Sequence, residues 1–265
     1  MADLRSWETL TSPELQRLAG GRCVAVLAMG ATEQHGPHLP LGTDTMIARG
    51  LIDRARRHVA TSGTVLVLPP LAIGKSSEHT SFPGTFTHEP ETLLAMVRQI
   101  GSGLAASRIH RLVIVNAHGG QPQIVDLAAQ DLRDRHDMLV VRANYMTWPL
   151  PPHLAGLDPE GHHGGKMETA IMLVLHPDLV EMAKARTFRS RATSLASRHR
   201  RFGHGGRLGF AWRAEDLNPE GVVGRAGEAT AALGEEFLEH FGQVLGELIS
   251  DALDVDRREV FGSGH

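Results

Sequence analysis

The sequence is poor in cysteine and carries little net charge. Its 265 residues include one cysteine, Cys23, which we expect to be a small core residue. A single cysteine can form neither an internal disulfide nor a metal site built from several thiolates. The 27 Lys and Arg nearly balance the 30 Asp and Glu, which leaves a formal charge of −3. This charge predicts no nucleic-acid partner and no binding to anionic membranes.

Long hydrophobic runs are missing as well. No stretch reaches the roughly 18–20 apolar residues that a transmembrane helix needs. The first residues lack the basic and then apolar pattern of a signal peptide, so we expect a cytoplasmic protein. A hydrophobic content of 42% and a charged content of 22% are ordinary for a globular protein. We predict one domain over residues 1–254 and a flexible tail over 255–265.

Apolar strands alternate with helical patterns along the chain. Runs rich in β-branched residues predict buried strands at 23–29, 64–68, 112–116 and 138–141. Apolar residues spaced by three and four predict helices at 45–60, 90–106, 122–136, 165–175 and 226–253, the last broken near Gly234. Because the strands are apolar throughout and separated by helices, we predict an α/β fold with a parallel sheet covered on both faces.

Histidine is the polar residue in excess. Six of the 16 histidines lie in four short segments that follow the strands, at 30–44, 76–85, 116–121 and 161–169. Each segment combines histidine with an acid or amide and with glycine or proline. In an open α/β sheet, ligands bind beyond the carboxyl ends of the strands. We therefore expect these segments to meet in one functional site.

Five side chains in these segments form a candidate metal-ligand set: Glu33, His35, Asp44, His118 and Glu168. Glu33 and His35 point to the same side of an extended segment because one residue separates them. Nitrogen and oxygen donors without sulfur suit Zn²⁺, Mn²⁺ or Fe²⁺. A bridging carboxylate such as Asp44 would allow two ions about 3.5–4 Å apart, which lower the pKa of a bound water.

Other polar residues of these segments are candidates for catalysis and substrate binding. His163 is expected to be either a general acid for the leaving group or a substrate anchor, and Glu168 is its predicted catalytic partner. Glu78 and His79 are expected to bind substrate or to orient metal ligands. Together with Ser77 and Gly119, they form the candidate substrate-binding set.

The segment 186–213 is basic, contains glycine and lacks periodicity. This composition favours an exposed loop or an oligomer contact over a lid above the site.

Other catalytic schemes lack their sequence signatures: there is no nucleophile elbow, no phosphate-binding loop and no dinucleotide fingerprint after the first strand.

Four motifs in chain order resemble those of the creatininase (creatinine amidohydrolase) family. They are Glu33-Gln34-His35-Gly36-Pro37-His38-Leu39-Pro40 with Thr43-Asp44, Ser77-x-His79-x-x-Phe82-Pro83-Gly84-Thr85, Asn116-x-His118-Gly119-Gly120, and His163-x-Gly165-x-x-Glu168-Thr169. The resemblance covers about residues 5–250. It implies a three-layer α/β/α sandwich, a two-metal centre, hydrolysis of C–N bonds in amides or cyclic amides, and a hexamer built as a trimer of dimers. The family's ligands fall on the same five residues.

The chain departs from creatininase proper at two places. Gly120 stands where creatininase has an acidic ligand, so we assign the fifth ligand to Glu168. Pro159 stands near the position of a creatininase tryptophan, and Trp148 is the candidate replacement in the substrate pocket. These departures predict a family member other than creatininase proper.

Together these patterns predict a metal-dependent amidohydrolase of a small molecule. Glu33, Asp44 and His118 would hold one ion, and His35, Asp44 and Glu168 the other. The ions, Zn²⁺ or Mn²⁺ with Fe²⁺ as a further option, would polarise the substrate carbonyl and supply hydroxide. The alternatives are a hydrolase or lyase of a carbohydrate-like ring and a non-catalytic oligomeric binding protein. Five convergent metal ligands disfavour the second alternative.

Overall fold

Five strands form a parallel sheet in a computed structural model of the chain, which describes residues 2–199 and 209–262. The strands are β1 (Asp3–Ser6), β2 (Cys23–Met29), β3 (Thr64–Val67), β4 (Arg111–Asn116) and β5 (Leu139–Asn144). They lie in the order β1-β3-β2-β4-β5, and all neighbours run parallel. The β2 strand is apolar and buried along its whole length because both of its faces are covered.

Helices connect the strands and cover the sheet. In chain order they are α1 (Ser12–Ala19), α2 (Thr43–Ala55), α3 (Pro90–Ala106), α4 (Pro122–His136), α5 (Lys166–Leu175), α6 (Arg191–Arg198), α7 (Ala214–Leu217), α8 (Ala231–Asp254) and α9 (Arg257–Phe261). Two further short strands, β6 (Thr187–Phe188) and β7 (Gly224–Arg225), pair antiparallel outside the main sheet. None of the helices in the described part of the chain is both long and apolar enough to span a membrane.

The helices divide into two layers. Val24, Val26 and Ala28 of β2 pack with residues of α2, α5 and α8 on one face. Ala25 and Leu27, which alternate with them, pack with α3 and α4 on the other face, where α1 also contributes. Successive side chains of a strand point to opposite faces, so one strand supplies both cores. This architecture confirms the predicted α/β/α sandwich with its parallel central sheet.

The structure corrects several predicted boundaries. Helices 90–106 and 122–136 are confirmed, but α2 starts earlier and ends earlier than the predicted 45–60. The C-terminal helix starts only at Ala231 and runs unbroken through Gly234, so the predicted break was wrong. Gly234 serves close packing instead, because a Cβ there would lie 1.9 Å from the carbonyl oxygen of Ala170 in α5.

Two ends of the chain carry elements that the sequence did not predict. The β1 strand adds to the sheet edge beside β3, and α1 follows it. The tail after Asp254 contains α9, and the Arg257 guanidinium donates a hydrogen bond to the backbone oxygen of Asp137. Residues 263–265 of the predicted tail lie outside the described residues.

Candidate metal centre and its cavity

Four elements of the sheet and its helices bring the candidate ligands together. Glu33 and His35 follow the carboxyl end of β2, and His118 follows that of β4. Asp44 and Glu168 lie in the first turns of α2 and α5. All five side chains are buried, with exposed fractions between 0% and 7%. Parallel strands end at the same edge of the sheet, which is why segments far apart in sequence meet here.

The five residues form two triads that share Asp44. In each triad, Glu33–Asp44–His118 and His35–Asp44–Glu168, one ligand atom per residue lies within 4.8 Å of the others. Asp44 Oδ1 lies 3.0 Å from His35 Nε2, and Asp44 Oδ2 lies 3.1 Å from His118 Nδ1. The two oxygens of Asp44 therefore face two different histidines, as a bridging carboxylate would require.

The hydrogen bonds around these residues fit metal ligands. His118 Nε2 lies 2.9 Å from the backbone oxygen of Lys75, which can only accept, so its N–H points away from the triad and Nδ1 faces the carboxylates. Within the described part of the chain, no well-aligned hydrogen bond reaches either oxygen of Glu33 or Oδ2 of Asp44. Their nearest nitrogen is His118 Nδ1, 3.3 Å from Glu33 Oε1 and 3.1 Å from Asp44 Oδ2, and it can donate to them only when His118 is doubly protonated. Buried carboxylate oxygens without partners are costly, and a cation at their common focus would satisfy them.

The electrostatics of the cluster also favour positive charge. Burial lowers the pKa of His35, but the carboxylates of Asp44, Glu168 and Glu33 together outweigh it and raise that pKa to about 9. Burial likewise lowers the pKa of His118, yet Glu33 and Asp44 hold it well above its ordinary value. Burial alone would raise the pKa of Glu33, but His118, His79 and His163 lower it well below the ordinary value of a glutamate. The carboxylates thus attract cations strongly, whether protons or metal ions.

Glu168 differs from the other acids of the cluster. Burial raises its pKa to about 7, with Asp44 and Glu33 adding to the effect, while His35 and the Gly164 N–H oppose it. The Gly164 N–H donates to Glu168 Oε2 at 2.6 Å, which fixes the carboxylate in place. A carboxyl group with a pKa near neutrality can both hold and release a proton at physiological pH.

The structure places His163 at the centre of a stack of imidazole rings. Its ring centroid lies 4.2 Å from that of His35 and 4.2 Å from that of His79. Its Nδ1 lies 3.6 Å from Glu33 Oε1, and Glu33, His35 and His163 form a third possible ligand group. Burial lowers the pKa of His163 well below its ordinary value, and the neighbouring His35 and His79 add to this. The imidazole is therefore neutral at pH 7.

A cavity of about 890 Å³ opens above the cluster. Four predicted substrate-binding residues line it: Ser77, Glu78, His79 and Gly119. Gly120 also borders it, and a Cβ there would lie 2.5 Å from His118 Nε2 and 2.7 Å from the backbone oxygen of Lys75. Position 120 therefore has no room for the acidic ligand that the family resemblance would place there.

Trp148 does not line this cavity. Its ring packs edge-on against Phe241 of α8, with centroids 6.1 Å apart, and it borders a separate depression beside Asn144. Trp212, which the sequence analysis did not select, lines the cavity instead, together with Ala211 and Arg213. The prediction of Trp148 rested on proximity in sequence, and the packing of Trp148 on the helix layer turns it away.

Trp212 is held in place by a small separate cluster of apolar residues. It packs against Ala192, Leu217 and Val223, outside the two main cores. The end of the segment 186–213 thus forms a wall of the cavity. Positions 200–208 of that segment lie outside the described residues.

Met146 is a second cavity residue that the sequence analysis missed. It lies in the short 3₁₀ turn Tyr145–Thr147, directly after β5. The strand-end rule applied to β5 itself would have found it. No comparable signal in the sequence pointed to Trp212.

The comparisons with known proteins agree with this geometry. A family model described as creatininase, creatinine amidohydrolase, matches residues 8–249. A creatinine amidohydrolase of Pseudomonas putida is 34% identical over 184 residues, which are 63% of this chain and 69% of that protein. A mycofactocin precursor peptide peptidase of Mycobacterium ulcerans (strain Agy99) is 31% identical over 233 residues, 86% of this chain and 82% of its own.

Solved structures of creatininase share the fold. A manganese form superposes with a TM-score of 0.77 at 27% identity, covering 94% of this chain and 99% of that one. A mutant of the Zn–Zn type superposes with a TM-score of 0.77 at 28% identity, covering 94% and 98%.

Proposed function

The chain belongs to the creatininase family of hydrolases that act on C–N bonds, and on this premise we propose that it is a two-metal amidohydrolase of small amides or cyclic amides. The observation that carries the proposal is the pair of buried triads sharing Asp44, with unpartnered carboxylate oxygens, at the floor of an open cavity. Glu33, Asp44 and His118 would hold one ion, and His35, Asp44 and Glu168 the second.

The donor set suits Zn²⁺ or Mn²⁺, and Fe²⁺ shares the same preferences. When bound, two such ions would polarise the substrate carbonyl and lower the pKa of the attacking water. The hexameric assembly and the cytoplasmic location expected from the sequence belong to this proposal as well.

His163 and Glu168 are the residues to which we assign proton transfer. His163 Nε2 lies 2.8 Å from the backbone oxygen of Gln34, so its N–H points there and its Nδ1 lone pair faces the site. Burial raises the Glu168 pKa to about 7 when no ion is bound. A bound ion would keep this carboxylate ionised, so Glu168 would accept a proton only when released from the ion. Between them, these groups can accept a proton during attack and return it to the leaving nitrogen.

The cavity walls define the kind of substrate that we propose. Its volume of about 890 Å³ is at the upper end of the range of roughly 300–1,000 Å³ for small-molecule pockets. Met146 and Trp212 offer apolar surface, while Ser77, Glu78 and His79 offer polar groups near the triads. This combination favours an amide whose flanking group is partly apolar, and short peptides fall within that class.

The proposal is tested by turnover of a panel of lactams, formamides and short peptides with the metal-loaded protein. We expect C–N cleavage of at least one class, and no cleavage by His118→Ala, which should lose an ion while keeping the fold. His110→Ala, a change of a histidine outside the cavity, is the matched control. Metal-dependent turnover of a carbohydrate-like ring with no C–N cleavage would contradict the proposal.

A further inference from the structure

Gln34 lies between two candidate ligands, but its side chain contacts the histidines of the cavity. It is 5% exposed. Its Nε2 lies 2.8 Å from His79 Nδ1 and 3.2 Å from His163 Nε2. The same nitrogen lies 2.6 Å from the backbone oxygen of Gly221. The side-chain amide of Gln34 therefore contacts the imidazoles of His79 and His163 and the backbone of the loop at Gly221.

The orientation of this amide follows from its backbone partners. Gln34 Oε1 accepts from the Gly36 N–H at 2.9 Å, and Nε2 donates to the Gly221 oxygen. Reversing the amide would place two donors together at Gly36 and two acceptors together at Gly221. The second N–H of the amide is thus the one hydrogen atom left for the histidines.

The backbone carbonyl oxygen of Gln34 determines which nitrogen of His163 carries the proton. That oxygen can only accept, so the nitrogen 2.8 Å away, His163 Nε2, carries the proton. A protonated Nε2 cannot also accept from the amide, so the free N–H of Gln34 goes to His79 Nδ1. His79 Nδ1 is therefore unprotonated, and the proton of His79 lies on Nε2.

The two rings then present opposite groups to the cavity. His79 directs its Nε2–H toward Glu33 Oε1, 3.6 Å away and beyond hydrogen-bond reach. His163 directs its unprotonated Nδ1 toward the same oxygen. We propose that Gln34 is a positioning residue that makes His79 a hydrogen-bond donor and His163 a hydrogen-bond acceptor at the site.

This inference rests on the proposed function where it concerns substrate. In amide hydrolysis, the His79 N–H would donate to an oxygen of the substrate, while the unprotonated His163 Nδ1 would accept a hydrogen bond from the attacking group. The position of Gln34 depends in turn on Gly221, which has a φ of +77°. A Cβ at Gly221 would lie 2.5 Å from Gln34 Oε1, so glycine allows the loop carbonyl to reach the amide.

The test is ¹⁵N solid-state NMR of the zinc-loaded protein with labelled histidine, which needs no substrate. Signals are assigned by their loss in His79→Asn and His163→Asn. In the wild-type protein we expect an unprotonated Nδ1 and a protonated Nε2 on both rings. A protonated Nδ1 on His79 would overturn the proposal, whatever the variants do.

The matched variant is Gln34→Glu, whose carboxylate has no N–H to donate. We expect His79 Nδ1 to become protonated, while His163 stays unchanged because its partner is a main-chain oxygen. An unchanged His79 spectrum, or equal changes on both rings, would overturn the proposal. Zinc content is measured on the same samples, so that loss of metal is recognised.

Kinetics separate positioning from a merely structural role. Gln34→Glu should lower kcat/KM by about 10- to 100-fold at unchanged zinc content. Because Gln34 acts through His79, His79→Asn should then cost far less in the Gln34→Glu background than in the wild type. Additive losses would contradict the proposal. If the wild type cleaves no amide, the proposed function fails, and the spectra still decide the proton positions.

Discussion

Asp44 is the residue on which both candidate ion positions depend. Its Oδ1 and Oδ2 lie within 3.1 Å of His35 and His118, respectively, and each triad includes it. Removing its charge therefore weakens both positions at once. Each of the other four ligands belongs to only one of these two triads.

Asp44→Asn should accordingly lose both ions, whereas His118→Ala should lose one. The neutral amide keeps the size of the side chain but not the charge that bridges two cations. Elemental analysis after dialysis measures the bound metal per chain. Asp53→Asn, an exposed position of the same helix, should keep the wild-type content. Equal metal content in Asp44→Asn and wild type would refute the bridging role.

His38 makes the stability of the fold depend on pH. Burial lowers its pKa to about 4, although its hydrogen bond to Gly164 opposes this. The unfolded chain has an ordinary histidine pKa of about 6.5. Between these values the unfolded chain binds a proton that the folded chain does not. The contribution of His38 to stability is thus complete above pH 6.5 and is lost as the pH falls toward 4.

We therefore expect His38→Gln to flatten the fall of the free energy of unfolding between pH 7 and pH 5. Gln retains a donor for the Gly164 oxygen, which His38 Nε2 contacts at 3.1 Å. Urea unfolding with a chelator present measures the effect without a contribution from metal release. His153→Gln, at the surface, controls for the loss of one histidine. An unchanged slope in His38→Gln would disprove this explanation.

Trp212 and Trp148 should respond differently to truncation. Trp212 lines the cavity, so Trp212→Ala should raise KM for substrates with apolar groups and leave metal content unchanged. Trp148 packs on Phe241, so Trp148→Ala should instead lower the free energy of unfolding by about 1–3 kcal/mol. Steady-state kinetics and urea unfolding of both variants make the comparison. A raised KM in Trp148→Ala with a loss of stability alone in Trp212→Ala would contradict the assignment of Trp212 to the cavity and Trp148 to the core.

At the scale of elements, two helical glycines test the packing of α8 on α5. A Cβ at Gly234 would lie 1.9 Å from the Ala170 oxygen, whereas a Cβ at Gly103 in α3 would meet no atom within 4 Å. Gly234→Ala should therefore destabilise the protein by about 1–3 kcal/mol through overpacking. Gly103→Ala should stabilise it by about 0.5–1 kcal/mol, because alanine is the better helix former. Thermal unfolding with equal shifts for both would contradict the packing.

The central strands could be predicted from the sequence because their signal is local. The run 23–29 is apolar at every position, and the structure buries every one of its residues in β2. The β1 strand was missed because it is short and mixes Asp3 and Arg5 with Leu4 at an edge of the sheet. Hydrophobic patterns identify buried strands, whereas edge strands depend on a neighbour far away in sequence.

The floor of the site could be predicted better than its walls. The floor consists of residues at strand ends and first helical turns, whose meeting point follows from the topology of a parallel sheet. Trp212 reaches the cavity only through its packing on Ala192, Leu217 and Val223. That contact joins segments outside the sheet, and no periodicity in the sequence encodes it. The same reason explains why the sequence pointed to Trp148, and not to Trp212, as the tryptophan of the cavity.

At the scale of the whole molecule, the sheet acts as a rigid frame for a charged centre. Both faces of β2 are covered by helices, so the segment that carries Glu33 and His35 starts from a fully buried strand. Three acids and two histidines are thereby held together at almost complete exclusion from water. Without cations, such a cluster is costly, and bound ions would offset that cost.

The central claim is therefore best tested by the number of divalent ions that each wild-type chain retains. Elemental analysis after loading with Zn²⁺ or Mn²⁺ and exhaustive dialysis provides this number directly. Two triads that share Asp44 predict two ions per chain. One ion or fewer per chain, for both metals and with the protein folded, would contradict the two-metal centre.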